Sequence, residues 1–396
     1  MQNKNPRILI VGAGAAGCFC AVQLHKWLPG ADIRILEAGP KPLAKLAVTG
    51  GGRCNISNTF EGVDSIRSVY PRGEVFMKRG LKEFSSSDAL AAFEQMGLSF
   101  TVQTDNRIFP ASQNAMDVVN AILHALDGIR IECGVMVDDV LAYDADYYVV
   151  ATGGGKGMEL LKNLPVDIEP PVPSLFTFNI CDFPDGGRSG ITALMGLAVN
   201  VRLSIPSSGF SSEGDLLITD WGFSGPAAIS LSSYSARYLA GRSYRCPLIV
   251  NWVLCDENSV REKLLDAHDS SSKKQIRNFN PFRLPQRLWE YLCIKAGLRP
   301  GQVWGELGSK GCNRLASILT ADSYFIWGKT RFRDEFVTCG GVSLSSVNLN
   351  TLECKRRPRL YFAGEVLDID AVTGGFNLQA AWTTAHIVSK SILYSI

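Results

Sequence analysis

Apolar residues fill positions 7–11 almost without interruption (RILIV), and Gly12 ends the run. A short β-branched run bounded by glycine predicts a strand buried on both faces. Residues 15–28 are helix formers up to a stop at Pro29-Gly30, and residues 32–37 (DIRILE) return to strand texture. Strand, helix and strand in this order make one βαβ unit, so the chain begins a parallel sheet. Helical patterns follow at 87–97 and 112–127. The second has Ser112 as expected N-cap, apolar positions at 115/116, 118/119, 122/123 and 126, and Gly128 beyond its end. Residues 129–133 and 147–151 (YYVVA) are further strands, the latter entering Thr152-Gly153-Gly154-Gly155.

From about Pro170 the texture changes to short strand-like segments at 175–180, 198–205 and 215–219 joined by Gly/Ser-rich connections. Between about 256 and 321 it turns helical and polar, with Pro285 expected to open a helix that runs to Ala296 and stops at Gly297. Residues 359–363 (RLYFA) are again a strand and 377–391 a final helix, so the chain ends by rejoining its first domain. The expected class is α/β.

Length and composition narrow the function. At 396 residues the chain has room for two to three domains, and 46% hydrophobic with 20% charged residues is ordinary for a globular protein. Forty Lys and Arg against 38 Asp and Glu leave +2, without the one-signed excess of a phosphate-backbone binder, so no nucleic-acid partner is expected. Eleven cysteines, an odd number with no CxxC pair, read as reduced, mostly buried thiols in a cytoplasmic protein. No leader-like segment and no apolar run of about 18 residues occurs, so no membrane span is expected.

The chemistry lies in the glycine clusters. Gly12-Ala13-Gly14-Ala15-Ala16-Gly17 is a GxGxxG between a strand and a helix. Gly12 permits the tight turn, Gly14 lets a pyrophosphate approach the helix N-terminus, and Gly17 lets the helix pack on the strand. Glu37, at the end of the second strand, can accept from both hydroxyls of an adenosine ribose and would repel a 2′-phosphate. FAD or NAD fits, and NADP does not. FAD is the longer ligand and needs more of the chain. Thr49-Gly50-Gly51-Gly52-Arg53-Cys54-Asn55 offers backbone approach, a guanidinium and an amide. Gly364-Glu365 follows a strand, its acid suited to ribityl hydroxyls. Gly374-Gly375-Phe376-Asn377 opens the last helix, whose positive end suits the carbonyl edge of an isoalloxazine. With Ala38, Lys45, Val135, Ala151, Thr152, Gly153 and Gly154, these residues form the expected site for non-covalent FAD.

VGAGAAG (11–17), KLAVTGGGRCNISN (45–58), RIFPASQNAMDVV (107–119), DADYYVVATGGG (144–155), GDLLITDWGFSGPA (214–227), TCGGVSL (338–344) and LYFAGEVLDIDAVTGGFNLQAAW (360–382) together resemble the FAD-dependent flavoproteins of BaiN/YhiN type. That family includes proteins described as aminoacetone oxidases and as 3-dehydro-bile-acid reductases. The resemblance implies a two-dinucleotide-binding-type Rossmann FAD domain (1–165 and 333–396), an inserted β-rich domain (166–254 and 322–332) and a small helical domain (255–321). Two segments depart from the family pattern: the stretch after Cys133 is too short for its usual β-meander, and the one after Gly155 is reduced to KGMELLKNLP. Asn106 stands where glycine is common, and asparagine tolerates the left-handed conformation needed there.

The reading that follows is an FAD-dependent oxidoreductase, oxidase or reductase, moving hydride between a small organic substrate and flavin N5; because no second GxGxxG follows a strand, NAD(P)H either docks transiently over the flavin as donor or takes no part. A non-catalytic FAD-binding protein and an NAD-dependent dehydrogenase without flavin are the alternatives. Cys54 has no nearby second thiol for a redox disulfide, and the four histidines lie too far apart in sequence to indicate a metal site. Asp368 and Asp370 are candidates for positioning flavin or substrate. Lys273, Lys274, Arg277, Arg283 and Arg287 form a locally basic stretch that reads as a solvated face able to steer an anion.

Overall fold

The computed structural model describes residues 5–182, 189–329 and 337–396. The chain forms two compact units, residues 1–172 with 337–396 and residues 173–336. The expected return to the first domain at 332/333 lies outside the described residues.

In the first unit, β1 (Arg7–Val11) enters α1 (Ala15–Trp27), which returns to β2 (Asp32–Glu37). The sheet has five strands, in spatial order Leu360–Phe362, Tyr147–Val150, β1, β2 and Arg130–Cys133. Every pair is parallel, with Ile8 opposite both Ile33 and Tyr147 and Leu360 opposite Tyr148. All five strands therefore end on one edge, and the glycine turns after Val11, Val150 and Phe362 leave from it together. The chain ends in a helix, Phe376–Ser395, packed on α1. The Phe19 ring of α1 meets Phe84, Phe93 and Trp382 at 5.2–5.9 Å, and the Trp382 indole donates to the Ile56 carbonyl at 2.9 Å. That bond satisfies the one polar atom of a fully buried ring.

Other elements refine the reading from sequence. The helix expected at 112–127 is Ala115–Ala125, and its cap is Asn114, whose side chain accepts from the Met116 amide at 3.0 Å, so Ser112 lies outside. The loop expected at 49–55 begins inside α2 (Ala44–Gly52), which is broken at Thr49 and continues through Gly50 and Gly51 at φ 60° and 68°. Residues 134–146 hold only the 3-10 turn Val140–Ala142, in keeping with the shortening noted there. A small antiparallel sheet not foreseen from sequence pairs Arg107–Pro110 with Ser57–Asn58 and Phe100–Val102.

The second unit is built on a closed six-stranded antiparallel barrel of Ala198–Ser204, Ser211–Ile218, Gly222–Ser224, Phe178–Cys181, Asp322–Lys329 and Cys246–Asn251. Closure leaves no sheet edge to pair with another chain. The expected three-part division meets two units here, because the helices of 255–321 share the barrel's apolar core. Leu264, Trp289, Trp304 and Leu315 belong to one cluster with Leu216, Val250 and Ile326.

His386, on the last helix, stacks on Phe84 with ring centroids 4.2 Å apart and meets the edge of Trp27. Burial, with Lys390 second, pushes its pKa down to about 4 from 6.5. The fold prefers the neutral ring, so its contribution is present above pH 6.5 and is lost as the pH falls toward 4. Urea unfolding midpoints of the wild type should decline more steeply across that window than those of His386→Phe. Parallel curves would remove His386 as a source of acid sensitivity.

Candidate functional site

The three glycines of the first turn have different tasks. Gly12 sits at φ 106°, and a methyl group there would lie 2.3 Å from the Ala151 carbonyl oxygen. On Gly17 it would lie 1.9 Å from the Gly12 carbonyl oxygen. Both are therefore demanded by the close approach of α1, β1 and the turn after Val150. Gly14 is at φ −83° and has no atom within 4 Å of a built Cβ. It is also the N-cap of α1, where no side chain caps the helix and no acid stands in the first turn. The positive end of a buried helix thus faces open space, the arrangement that receives an anion.

Glu37 stands beside that turn. Its Oε2 accepts from the Ala13 amide at 2.8 Å and its Oε1 from the Gly39 amide at 2.7 Å, which fixes the carboxylate plane. Next to it, the Val135 amide donates to the Glu37 carbonyl and the Gly134 amide to that of Gly39, both at 2.9 Å, so Ala38 and Val135 flank the acid.

On the other side lies a second group. The carboxylate of Glu365 accepts from the Thr338 amide at 2.7 Å, and the exposed Lys45 ammonium approaches its other oxygen at 3.9 Å. A methyl group on Gly154 would fall 2.2 Å from the Thr338 hydroxyl, and one on Gly153 would sit 3.6 Å from Glu365 Oε2. Gly364, at φ 77°, lies against Ala16, and its amide donates to the Thr384 hydroxyl at 2.8 Å. The Thr152 hydroxyl is buried and has no partner among the described residues. An orphaned hydroxyl costs roughly 1–3 kcal/mol, which makes this place a poor one unless something else binds there.

The third group joins the broken end of α2 to the start of the last helix. The Asn55 amide, oriented by its neighbours, donates to the Ser57 and Ile108 carbonyls and accepts from the Gly375 amide at 2.9 Å. Gly375, at φ 91°, would place a methyl group 2.2 Å from the Ser57 carbonyl oxygen, and the Asn58 amide donates to the Gly374 carbonyl at 3.0 Å. Gly51 and Gly52 face open space, and the exposed Arg53 guanidinium lies over the Phe109 ring at 4.7 Å. Cys54 is buried at φ 61°, and burial pushes its thiol up to about 12, so it is no ready thiolate.

All the residues expected from the sequence lie in the first unit. The N-terminal turn, the turn after Val150 and Gly364-Glu365 meet at one sheet edge, while the 49–55 segment is held against Gly374 and Gly375. Lys45 links the last two groups through Glu365, and the Leu43 amide ties the start of α2 to the Ala13 carbonyl at 2.8 Å. Two side chains are engaged within the turn itself. Asn377 exchanges hydrogen bonds with the Ala371 backbone at 2.9 Å each way, and Phe376 is buried against Tyr70 and Phe60, its carbonyl accepting from the Tyr70 hydroxyl. Asp370, a candidate for positioning flavin or substrate, is fully buried and bound bidentately by Arg72, so its carboxylate anchors the segment before the last glycine turn.

Sequence reasoning missed Thr338, Thr384 and Asn58, whose polar groups act on glycine turns far from them in the chain. Their available signals were weak. Thr338 precedes a glycine pair and Asn58 closes the GGRCNISN run, but Thr384 is an ordinary helical threonine in sequence.

The match to known proteins covers nearly the whole chain. A ribosomal RNA dihydrouridine synthase of Haemophilus influenzae is 27% identical, over 97% of this chain and 98% of that protein. One of Escherichia coli is 26% identical over 97% of each. The 3-dehydro-bile acid delta(4,6)-reductase of Clostridium scindens is 27% identical over 97% and 98%. The model for the HI0933-like protein Rossmann domain matches residues 6–391, which includes every turn of this sheet edge, so the chain belongs to the HI0933-like family.

Proposed function

We propose that the protein is an FAD-dependent oxidoreductase that reduces a carbon–carbon double bond conjugated to a carbonyl group. The observations that carry the cofactor are room beside Gly14 and a buried Thr152 hydroxyl with no partner among the described residues, both at the sheet edge, together with room for a side chain at Gly51 and Gly52 in the 49–55 segment. A nicotinamide dinucleotide would use the first of these places, whereas FAD is long enough to use all of them. When bound, FAD supplies a two-electron carrier whose N5 can pass a hydride to carbon. The Ala15 and Ala16 amides would hold its pyrophosphate, and Glu37 its adenosine ribose, with Ala38 and Val135 beside it. The start of the last helix would set positive potential against the flavin's carbonyl edge.

The chemistry comes from what the relatives' names share. Dihydrouridine differs from uridine by reduction of a double bond conjugated to the C4 carbonyl, and a delta(4,6)-3-oxo steroid carries double bonds conjugated to its ketone. Each can accept hydride at an electron-poor carbon of the conjugated system, the β-carbon of uridine or the β- or δ-carbon of the dienone, while negative charge collects on the carbonyl oxygen, and each then needs a proton at a second carbon. These names favour reductase over oxidase, with NAD(P)H docking transiently as donor. The eleven cysteines, nine of them buried, suit a reducing cytoplasm. Among the described residues no helix is long and apolar enough to cross a membrane.

Freshly purified protein should be yellow and release FAD identifiable by mass. Under anaerobic conditions it should bleach with NADH or NADPH and regain colour on addition of a conjugated enone or a uracil-containing RNA. A colourless protein that cannot be reconstituted would overturn the cofactor. A yellow one reoxidised only by oxygen would overturn the reductase. Glu37→Gln should weaken FAD retention about 10- to 100-fold, the worth of one charge-assisted hydrogen bond. Unchanged retention would remove Glu37 from the site.

A further inference from the structure

A cavity of about 450 Å³ opens within the first unit, between the helix Glu74–Glu83, residues 349–353, the strand Leu360–Phe362 and the far part of the last helix. Small-molecule sites usually measure about 300–1,000 Å³. The last helix starts at the glycine turns with Phe376. At its other end the Ser395 carbonyl accepts from the hydroxyl of Tyr147, the first residue of its strand, at 3.2 Å. The cavity is lined by Ile387, Lys390 and Tyr394 of that helix, so it lies toward the strand starts and away from the turns of the candidate flavin site.

Two groups of each charge sign line the cavity. Glu83 and Lys390 are joined to one another across the two helices. Arg79 and Glu353 are left over. Arg79 stands one turn before Glu83 on the same helix, is exposed, and has no hydrogen bond or ion pair among the described residues. Glu353 is half-buried, and one of its oxygens accepts from the Arg359 amide at 2.7 Å. Among the described residues no cation pairs with it. Removing a carboxylate from water without a counter-charge is unfavourable, so this acid gains from a cation that enters beside it. The walls are apolar as well. Leu349 and Ile387 face the cavity, and the Tyr394 ring, 77% exposed, meets no other ring among the described residues.

We infer that this cavity binds a free amino acid with an apolar or aromatic side chain, its carboxylate on Arg79, its ammonium on Glu353 and its side chain against Leu349, Ile387 and Tyr394. The charges of the lining cancel, and one group of each sign remains unjoined, which suits a ligand neutral as a whole and charged at two ends. A simple anion would leave Glu353 unmatched, and a simple cation would leave Arg79 unmatched. A guanidinium can take a carboxylate through two parallel hydrogen bonds, which fixes that end of the ligand. The site is separate from the flavin site and does not depend on the reaction proposed there.

The test titrates the full-length protein with L-phenylalanine, 3-phenylpropanoate and phenethylamine by calorimetry, the last two lacking the ammonium and the carboxylate respectively. Wild type should bind L-phenylalanine with a Kd of about 1 mM or tighter, as a modest ligand efficiency gives for a molecule of this size, and each of the others about tenfold more weakly. Arg79→Gln should weaken L-phenylalanine and 3-phenylpropanoate about tenfold and leave phenethylamine unchanged. Glu353→Gln, which keeps an oxygen for the Arg359 amide, should weaken L-phenylalanine and phenethylamine and leave 3-phenylpropanoate unchanged. Circular dichroism should show both variants folded, because one group is exposed and the other keeps its backbone partner. The proposal is overturned if wild type ignores L-phenylalanine at about 10 mM, if the two single-charge analogues bind as well as the amino acid, or if both variants bind it like wild type. A colourless protein that binds L-phenylalanine in this pattern defeats the flavin reading and leaves this inference standing.

Discussion

Gly14→Val should purify as a folded protein without flavin, its FAD affinity lowered more than about 100-fold, or about 2.8 kcal/mol. Two features of the turn separate binding from folding at this residue. The backbone at φ −83° accepts any side chain, and the added atoms would enter space where no protein atom lies within 4 Å. That space adjoins the helix amides that would hold the pyrophosphate, so a branched side chain there displaces the ligand. The folding cost should stay near 1 kcal/mol, since valine is a poorer N-cap than glycine. Circular dichroism with the visible spectrum reads both quantities. A Gly14→Val protein that keeps its yellow colour would move the pyrophosphate elsewhere.

Gly17→Ala, a smaller change three residues on, should have the opposite outcome and yield little folded protein. The new methyl carbon would be built 1.9 Å from the Gly12 carbonyl oxygen and 3.3 Å from the Ala151 side chain. Neither the carbonyl nor the helix can yield alone, because Gly12 is itself wedged against the Ala151 backbone and α1 is packed along the last helix. Ordinary overpacking costs about 1–3 kcal/mol, and a clash with fixed backbone should exceed that, a large part of a typical total stability of about 5–15 kcal/mol. Soluble yield and urea midpoints measure it. A variant within about 0.5 kcal/mol of wild type would show that α1 can lift from the sheet without loss. Those two outcomes together would divide one fingerprint into a residue kept for the ligand and a residue kept for the fold.

The parts of the site that could be read in advance are local in the chain. β1, its glycine turn and α1 form within 21 residues, and Glu37 ends the adjoining strand. Their geometry follows from strand-turn-helix connectivity, so residue types at fixed spacing suffice. The parts that could not be read are pairings across long separations. Asn58 reaches Gly374, Tyr70 reaches Phe376 and Arg72 reaches Asp370, each across about 300 residues. Thr338 meets Glu365 and Gly154 from opposite directions along the chain. No local pattern announces such partners, because their side chains acquire a neighbour only when the sheet edge has assembled.

Charge shows the same division. The sum over the sequence, +2, is a property of composition and argued against a nucleic-acid partner. Folding determines which charges cancel, by pairing Arg34 with Glu132, Arg202 with Glu213 and Arg356 with Asp167. Among the described residues no ion pair joins the cations of 272–287 to an acid. The amino-acid sequence by itself determined the parallel βαβ start, the dinucleotide-type turn and the acid at the end of β2, since each depends on residues close along the backbone. Tertiary structure alone decided which glycines have room beside them and which are fixed by packing, and which acids anchor turns. Those outcomes depend on distances between residues that meet only in the folded chain.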